Sequence, residues 1–355
     1  MTITDLLEFL TETQLGALFG LLTGLVFGVA AHRSSFCLRA AVVEFARGEL
    51  GERMTVWFLT FSTALVWVQS AQLMGLFRVE DTRMMAIAGS WSGAIVGGLM
   101  FGVGMVLSRG CSGRLLVLAS TGNLRSLISG LVFAVVAQMA LHGWLSPVRE
   151  WIVGLWPTEG GQNLNLIDYA GLPDQAGLVI GLAFAALALT LSFRLRIGFS
   201  KLIFASGVGF SVALGWVLTF SLAQVSFEPV TVTSATFSGP SASTLMYLLT
   251  NDSPLSFDIG LVPGVVLGAL GSSLLAGTFR FQGFDGESQM RRSLTGAVMM
   301  GFGAMLAGGC AIGAGVSGGS IFAGTAWLAL FFMWVGAGAA DWLIDRPRQH
   351  QPAAA

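Results

Sequence analysis

Charge is what this sequence has least of. Only 10% of its residues are charged and 54% are apolar, whereas soluble domains carry roughly 25% charged residues. Mean hydropathy is +0.77, which excludes an ordinary soluble domain. Net charge is −1 and there is no basic cluster, so nothing offers nucleic acid a partner surface. The opening MTITDLLEFLTETQ lacks the basic region of a signal peptide, so the first apolar span is expected to be retained as a helix. Cysteine is also scarce. Three residues, Cys37, Cys111 and Cys310, cannot all pair with one another, and their spacing fits no zinc pattern. They read as free thiols, and neither metal nor cofactor is expected. Finally, the middles of the apolar stretches lack carboxylates; Glu44 and Asp341 lie near ends. Proton- and sodium-coupled carriers usually need such groups within the bilayer, so carboxylate-based coupling is not expected.

Long apolar stretches and glycine are abundant. Stretches that span or nearly span a bilayer recur nine times, at about 15–31, 54–77, 91–108, 126–145, 177–193, 202–224, 258–278, 294–307 and 320–343. The chain has 48 glycines, as tightly packed membrane helices do. The expected fold is therefore all-α: a polytopic transmembrane bundle in a lipid bilayer, of about nine spans. Residues 1–355 form one membrane domain, with a first half at about 15–145 and a second at about 177–343. Segments 146–176 and 225–257 are polar and read as outer loops, and 344–355 reads as a cytoplasmic tail.

Basic residues fix the expected orientation. With the C-terminus inside, 15 of the 18 lysines and arginines fall in cytoplasmic segments, leaving Arg78, Arg83 and Arg149 outside. The outer segments instead carry Asp5, Glu8 and Glu12, then Glu150, Glu159, Asp168 and Asp174. The expected location is the cell inner membrane, multi-pass, with the N-terminus outside.

One pattern of fifteen residues occurs twice, at 97–111 (GGLMFGVGMVLSRGC) and 296–310 (GAVMMGFGAMLAGGC). Both read G-x-x-M-x-G-x-G-x-x-L-x-x-G-C. The charge-derived topology sends the first copy inward and the second outward, which makes the repeat inverted. Inverted repeats place the substrate near the midplane, on broken helices. Each copy ends in a glycine-rich break containing Gly110–Cys111 or Gly309–Cys310. Irregular backbone at membrane depth persists where protein or a polar cavity satisfies it. A helix that begins after such a break aims free N–H groups at anions. A thiol adds a soft, weak donor, so the matching ligand is a sulfur-containing anion. The alternative is that glycine spacing serves packing and cysteine is a small hydrophobe; the coincidence of both cysteines in one repeat favours the site. Cys37 lies in HRSSFCLR after a ladder of Gly16, Gly20, Gly24 and Gly28. The ladder is a packing face, and flanking Arg33 and Arg39 would draw an anion to the thiol. Arg109, beside Gly110, joins Arg33 as a candidate anion contact. Cys37 falls outside the repeat, so the expected path has two symmetric corners and one exit thiol.

These motifs, RSSFC, SRGCSG and GGCAIG, resemble the YeeE/YedE family in order and spacing over nearly the whole chain. The resemblance implies an hourglass-shaped inverted-repeat helical protein, and uptake of thiosulfate without enzymatic turnover. It further implies that Cys37, Cys111 and Cys310 pass the anion through transient S–H···S hydrogen bonds. Relatives work beside a small cytoplasmic sulfur-carrier protein, and others are linked to selenium metabolism or signalling. Two rival readings are a membrane redox or sulfur sensor and an enzyme that moves sulfane sulfur onto a cysteine. Entry of a dianion against 100 mV costs about 4.6 kcal/mol, so uptake needs a gradient or consumption inside.

Overall fold

The computed structural model of the chain describes residues 9–250, 254–283 and 286–346. Asp5, Glu8, Arg348 and most of the expected tail, 347–355, lie outside the described residues. Among the described residues, nine helical stretches are long and apolar enough to cross a membrane. The protein is a multi-pass all-α bundle.

The helices are α1 (Glu12–Ser34), α2 (Leu38–Ala46), α3 (Glu52–Leu73), α4 (Trp91–Leu107), α5 (Ser112–Ser120), α6 (Leu124–His142), α7 (Ser146–Gly154), α8 (Gln175–Arg194), α9 (Phe199–Ala223), α10 (Gly239–Leu249), α11 (Phe257–Leu275), α12 (Glu287–Leu306) and α13 (Gly324–Ala340). A π-helical segment, Ala311–Gly318, follows α12. A capping box starts α1: the Gln14 N–H donates to Thr11 Oγ1 (3.3 Å) and the Thr11 N–H to Gln14 Oε1 (3.1 Å), satisfying two donors at once.

Glycine sets how closely the helices approach. The α1 ladder meets a second ladder on α11, Gly260, Gly264 and Gly268. A Cβ on Gly24 would strike the Leu261 carbonyl oxygen, and one on Gly264 the Leu21 carbonyl oxygen. Each backbone therefore fills the space that the other's side chain would need, as small-xxx-small faces allow. Gly24→Leu is expected to lose most folded protein, read as the monodisperse fraction in detergent chromatography, because overpacking a tight contact costs about 1–3 kcal/mol or more.

Contacts also give the relative directions. α1 and α11 run parallel, since Gly20, Gly24 and Gly28 face Phe257, Leu261 and Val265 in turn. α3 and α9 are parallel too: Thr60 Oγ1 donates to the Ala205 carbonyl (3.2 Å), and Gly209 faces Ala64 four residues on. The same holds for α4 with α13, where Gly98 faces Ala329 and Gly102 faces Ala337. α6 and α12 match them, with Ser129 Oγ 2.7 Å from Ser293 Oγ and Gly301 facing Phe133 and Val136. The two helices that carry the fifteen-residue pattern are antiparallel: Gly97 meets Gly303 and Ala307, and Gly104 meets Gly296 and Met300. These directions agree with the alternation expected from charge.

One end of the bundle collects arginine. Arg47 holds Asp341 through two bonds (Nη2–Oδ1 2.7 Å, Nε–Oδ2 3.0 Å), and Asp341 is fully buried. Asp345 takes Arg39 (3.0 Å) and Arg292 (2.6 Å). These pairs fasten α2 to the end of α13, and bidentate Arg–carboxylate geometry is the strong kind. At the opposite end Glu12 meets Ser226, Val232 bridges Thr82, and the Gly324 N–H donates to the Leu164 carbonyl (2.7 Å).

The segment read as a second loop departs from expectation. Val232, Ser234, Ala235, Phe237 and Ser238 are buried. Its backbone groups find partners inside: Ser317 Oγ donates to the Ala235 carbonyl (2.6 Å) and the Thr233 N–H to Thr219 Oγ1 (3.2 Å). Residues 229–251 hold no charge, which is why the segment can enter the bundle. Segment 146–176 contains α7 and a one-turn helix, Leu166–Tyr169.

Candidate functional site: a thiol-lined centre

All three cysteines occupy the same place in the backbone. Cys37 precedes α2, Cys111 precedes α5, and Cys310 precedes the π segment. Two residues before each, the chain turns left-handed: Ser35 at φ 55, Arg109 at φ 57 and Gly308 at φ 74. That turn stops the incoming helix and starts a new one at the cysteine. Cys37 thus shares the local build of the other two, although the fifteen-residue pattern does not reach it. A fourth short helix, α10, follows Thr236-Phe237-Ser238, a sequence that parallels Ser35-Phe36-Cys37 before α2, but it starts from a right-handed cap with no left-handed turn before it. Ser238 is the oxygen counterpart of Cys37.

The stretch after each repeated cysteine differs by one residue. Cys111 lies twelve residues before Asn123, and Cys310 thirteen before Ala323, the residues that cap α6 and α13. One extra residue in an otherwise equal span explains the wide π turns after Cys310, and such turns recur at functional sites. α5, at nine residues, is about 13 Å long, so Cys111 sits well inside the bundle.

The sulfur atoms are held as acceptors. Cys310 Sγ receives the Phe237 N–H (3.3 Å) and the Gly313 N–H (3.4 Å), with Thr236 Oγ1 3.9 Å away. With its sulfur occupied by two amides, the thiol proton remains available as a donor. The Cys37 and Cys111 side chains are close enough to act on each other, with the Ala40 and Arg114 amides facing them, three residues along each short helix. Cys111 and Cys310 are fully buried and Cys37 is partly so. Helix N-termini lend partial positive charge, each about 0.3–1 kcal/mol toward an anion.

A cavity of about 500 Å³ runs from the end opposite the arginine cluster down to the Cys310 corner. Arg83, Arg149 and His142 line it, with Glu150 and Asp258, and Thr236, Gly308, Gly313 and Ser317 form its base. The expected outer arginines Arg83 and Arg149 therefore meet at this cavity, Arg149 paired with Glu150 (3.1 Å), a grouping that scattered loop positions do not reveal in sequence. On the other side, Arg114 is close enough to Cys37 and His32 to act on both; it escaped notice because its only signal is a place in the first turn after Cys111.

The remaining anticipated residues fall as follows. Gly309 is required: a Cβ there would lie 2.6 Å from the Ala314 nitrogen. Gly110 is roomier, with Arg114 Cγ nearest at 3.5 Å. Arg109 is exposed and serves the left-handed turn. Arg33 gives its Nε–H to Ser272 Oγ (3.1 Å) and lies 5.9 Å from the Phe204 ring centre, so it braces α9 and α11. Gln69 donates to the Ser320 carbonyl (2.7 Å), anchoring the turn before α13.

Comparison with known proteins gives the family. A family model described as sulphur transport covers residues 33–339, from before Cys37 to the end of α13. The chain is 25% identical to the thiosulfate transporter TsuA of Escherichia coli (strain K12) over 348 residues, covering 92% of this chain and 94% of that one. It is 24% identical to the thiosulfate transporter TsuA of Spirochaeta thermophila over 333 residues, covering 92% and 98%. Family and relatives are transporters rather than enzymes, so the sulfur-transferring enzyme reading falls. With three thiols at the breaks of its helices, this chain belongs to the sulphur transport family, the YeeE/YedE family that its motifs resemble.

Proposed function

We propose that the protein takes up thiosulfate, or a closely related sulfur anion, across the inner membrane along its three thiols. The carrying observation is the Cys310 corner: a thiol whose sulfur is held by two amides, at the base of a cavity that Arg83 and Arg149 line, with the Cys37–Cys111 pair beyond it. Thiosulfate enters from the cavity, takes S–H donors on its terminal sulfur, and passes from Cys310 to Cys111 and Cys37. Each contact is a hydrogen bond and leaves no covalent adduct. The relatives' described substrate supports the choice of thiosulfate.

The arginine-rich end faces the cytoplasm on this reading, as the excess of basic residues requires. The matched helix pairs support two inverted halves, α1–α6 and α9–α13, with α8 between them; the second half then starts near Phe199 rather than 177. A small sulfur-carrier protein would meet the anion at the arginine-rich end.

Growth tests this directly. In a strain that needs thiosulfate as its sulfur source and lacks its own uptake, the wild-type chain is expected to restore growth. An excess of sulfate should compete weakly and selenium analogues partly. Wild-type expression without growth would instead favour a sensor that signals to a partner.

A further inference from the structure

Between the cavity and the inner thiols stands one aromatic ring. We propose that Phe237 is the steric gate of this path, the side chain that must turn aside for an anion to pass from Cys310 to the Cys37–Cys111 pair. The inference rests on the transport reading above and adds the element that controls passage.

Three observations carry it. First, the bend before α10 sends neighbouring side chains to different sides. Thr236 and Ser238 line the cavity while Phe237, between them, does not. Segment 236–238 is therefore a partition, with hydroxyls on its cavity face and a ring on the other. Second, the ring fills the space toward the inner thiols. Its centre lies 4.8 Å from that of Phe27, and a Cβ built on Gly113 would be 3.1 Å from the Phe237 ring. Gly113 is the second residue after Cys111, so the ring abuts the start of α5. Phe237 is fully buried, and neither Cys111 nor Cys37 lines the cavity. Third, backbone and ring are held differently. The segment's backbone is fixed by Thr219 and Ser317, and by the Phe237 N–H bond to Cys310 Sγ. The ring is held by van der Waals packing against Phe27 and Gly113 and by no hydrogen bond, so it is the part of the segment that can turn when its neighbours yield. The matching ring before α2, Phe36, is buried in the corresponding place.

The gate also bears on selectivity. Apolar rings disfavour a strongly hydrated anion more than a soft one, because desolvation without compensating hydrogen bonds is costly. Thiosulfate presents a weakly hydrated terminal sulfur to the ring, and sulfate presents only oxygen.

The test reads accessibility rather than transport. In the full chain, Cys37→Ala and Cys310→Ser leave Cys111 as the sole thiol, and serine retains an acceptor for the Phe237 N–H. A small charged methanethiosulfonate is applied to intact cells and to inverted vesicles. Ile87→Cys in a chain otherwise free of cysteine identifies which preparation exposes the cavity. From that side, Phe237→Ala is expected to raise the labelling rate of Cys111 at least tenfold, and Phe237→Trp to lower it. From the other side the rate should stay within a factor of two. Should Phe237→Ala fail to give a monodisperse protein, Phe237→Leu replaces it, with an expected rise of at least threefold. Equal rates in the folded variants and the parent overturn the gate. Because labelling needs no flux, a protein that labels as expected but carries no thiosulfate would overturn the function and leave the gate standing.

Discussion

Gly309→Ala is expected to cut thiosulfate uptake at least tenfold, whereas Gly110→Ala should keep it within a factor of two. The two glycines hold the same place in the repeated pattern, and sequence alone gives no reason to rank them. Geometry does. A Cβ on Gly309 would meet the Ala314 nitrogen at 2.6 Å and the Gly313 carbonyl carbon at 3.1 Å, both backbone atoms of the π segment. That backbone cannot yield without displacing the Gly313 N–H from Cys310 Sγ. The clash is therefore transmitted to the thiol itself. On Gly110 the same Cβ would touch Arg114 Cγ and Leu115 Cδ2 at 3.5 and 3.6 Å, ordinary contact with flexible side chains. Uptake per amount of monodisperse protein separates the two. Equal losses at both positions would mean that the glycines act only through helix packing.

The second large effect is expected at Cys111. Cys111→Ala should lower uptake by roughly ten- to a hundredfold, since a hydrogen bond to a charged group contributes about 1.5–3 kcal/mol. Cys111 stands between the other two thiols, close enough to act on Cys37 and on Cys310. On the proposed relay, its loss removes the middle donor. Cys111→Ser restores a donor of similar direction but poor match to a soft sulfur, and is expected to recover only part of the rate. Folding should be little affected, because alanine and serine both fit a site sized for cysteine. If Cys111→Ala transports like the wild type at equal expression, the thiol is a packing residue.

The legible and illegible parts of the molecule divide along a physical line. Helix number was readable because hydropathy reports a property spread over twenty residues at a time. Gly110–Cys111 and Gly309–Cys310 were readable because the duplication marks them. The equivalence of Cys37 to these corners was not, since it lies in the backbone: Ser35 takes the left-handed turn that Arg109 and Gly308 take, with no shared residue type. The π segment escaped for a related reason, as one added residue before Ala323 is invisible without a structure to align. Segment 225–257 reads as a loop, with room for short helices, from its hydroxyl and proline content, while its lack of charge from 229 to 251 is what lets it enter the bundle. Arg33 and Arg109 stand beside cysteines in sequence; in the structure Arg33 donates to Ser272 and Arg109 takes the left-handed turn. Arg83, Arg149 and Arg114 stand nearer the cavity and thiols, brought there by helices far apart in sequence.

The ion pairs at the arginine-rich end tie α2, and with it Cys37, to α13 from the other half of the bundle. The thiol pair is thus set by contacts from both halves, which is what a path at their meeting place needs. Phe237 extends the same logic from the opposite side, since its segment reaches Cys310 through an N–H and Gly113 through its ring.

The central claim is that sulfur anions cross this protein by way of its thiols. Uptake of radiolabelled thiosulfate into proteoliposomes containing the purified full chain tests it most directly. The expected result is accumulation well above protein-free liposomes, a much smaller flux of labelled sulfate, and loss of the signal when Cys37, Cys111 and Cys310 are all alanine. Flux no greater than in empty liposomes, or equal flux from the chain without cysteine, would contradict it.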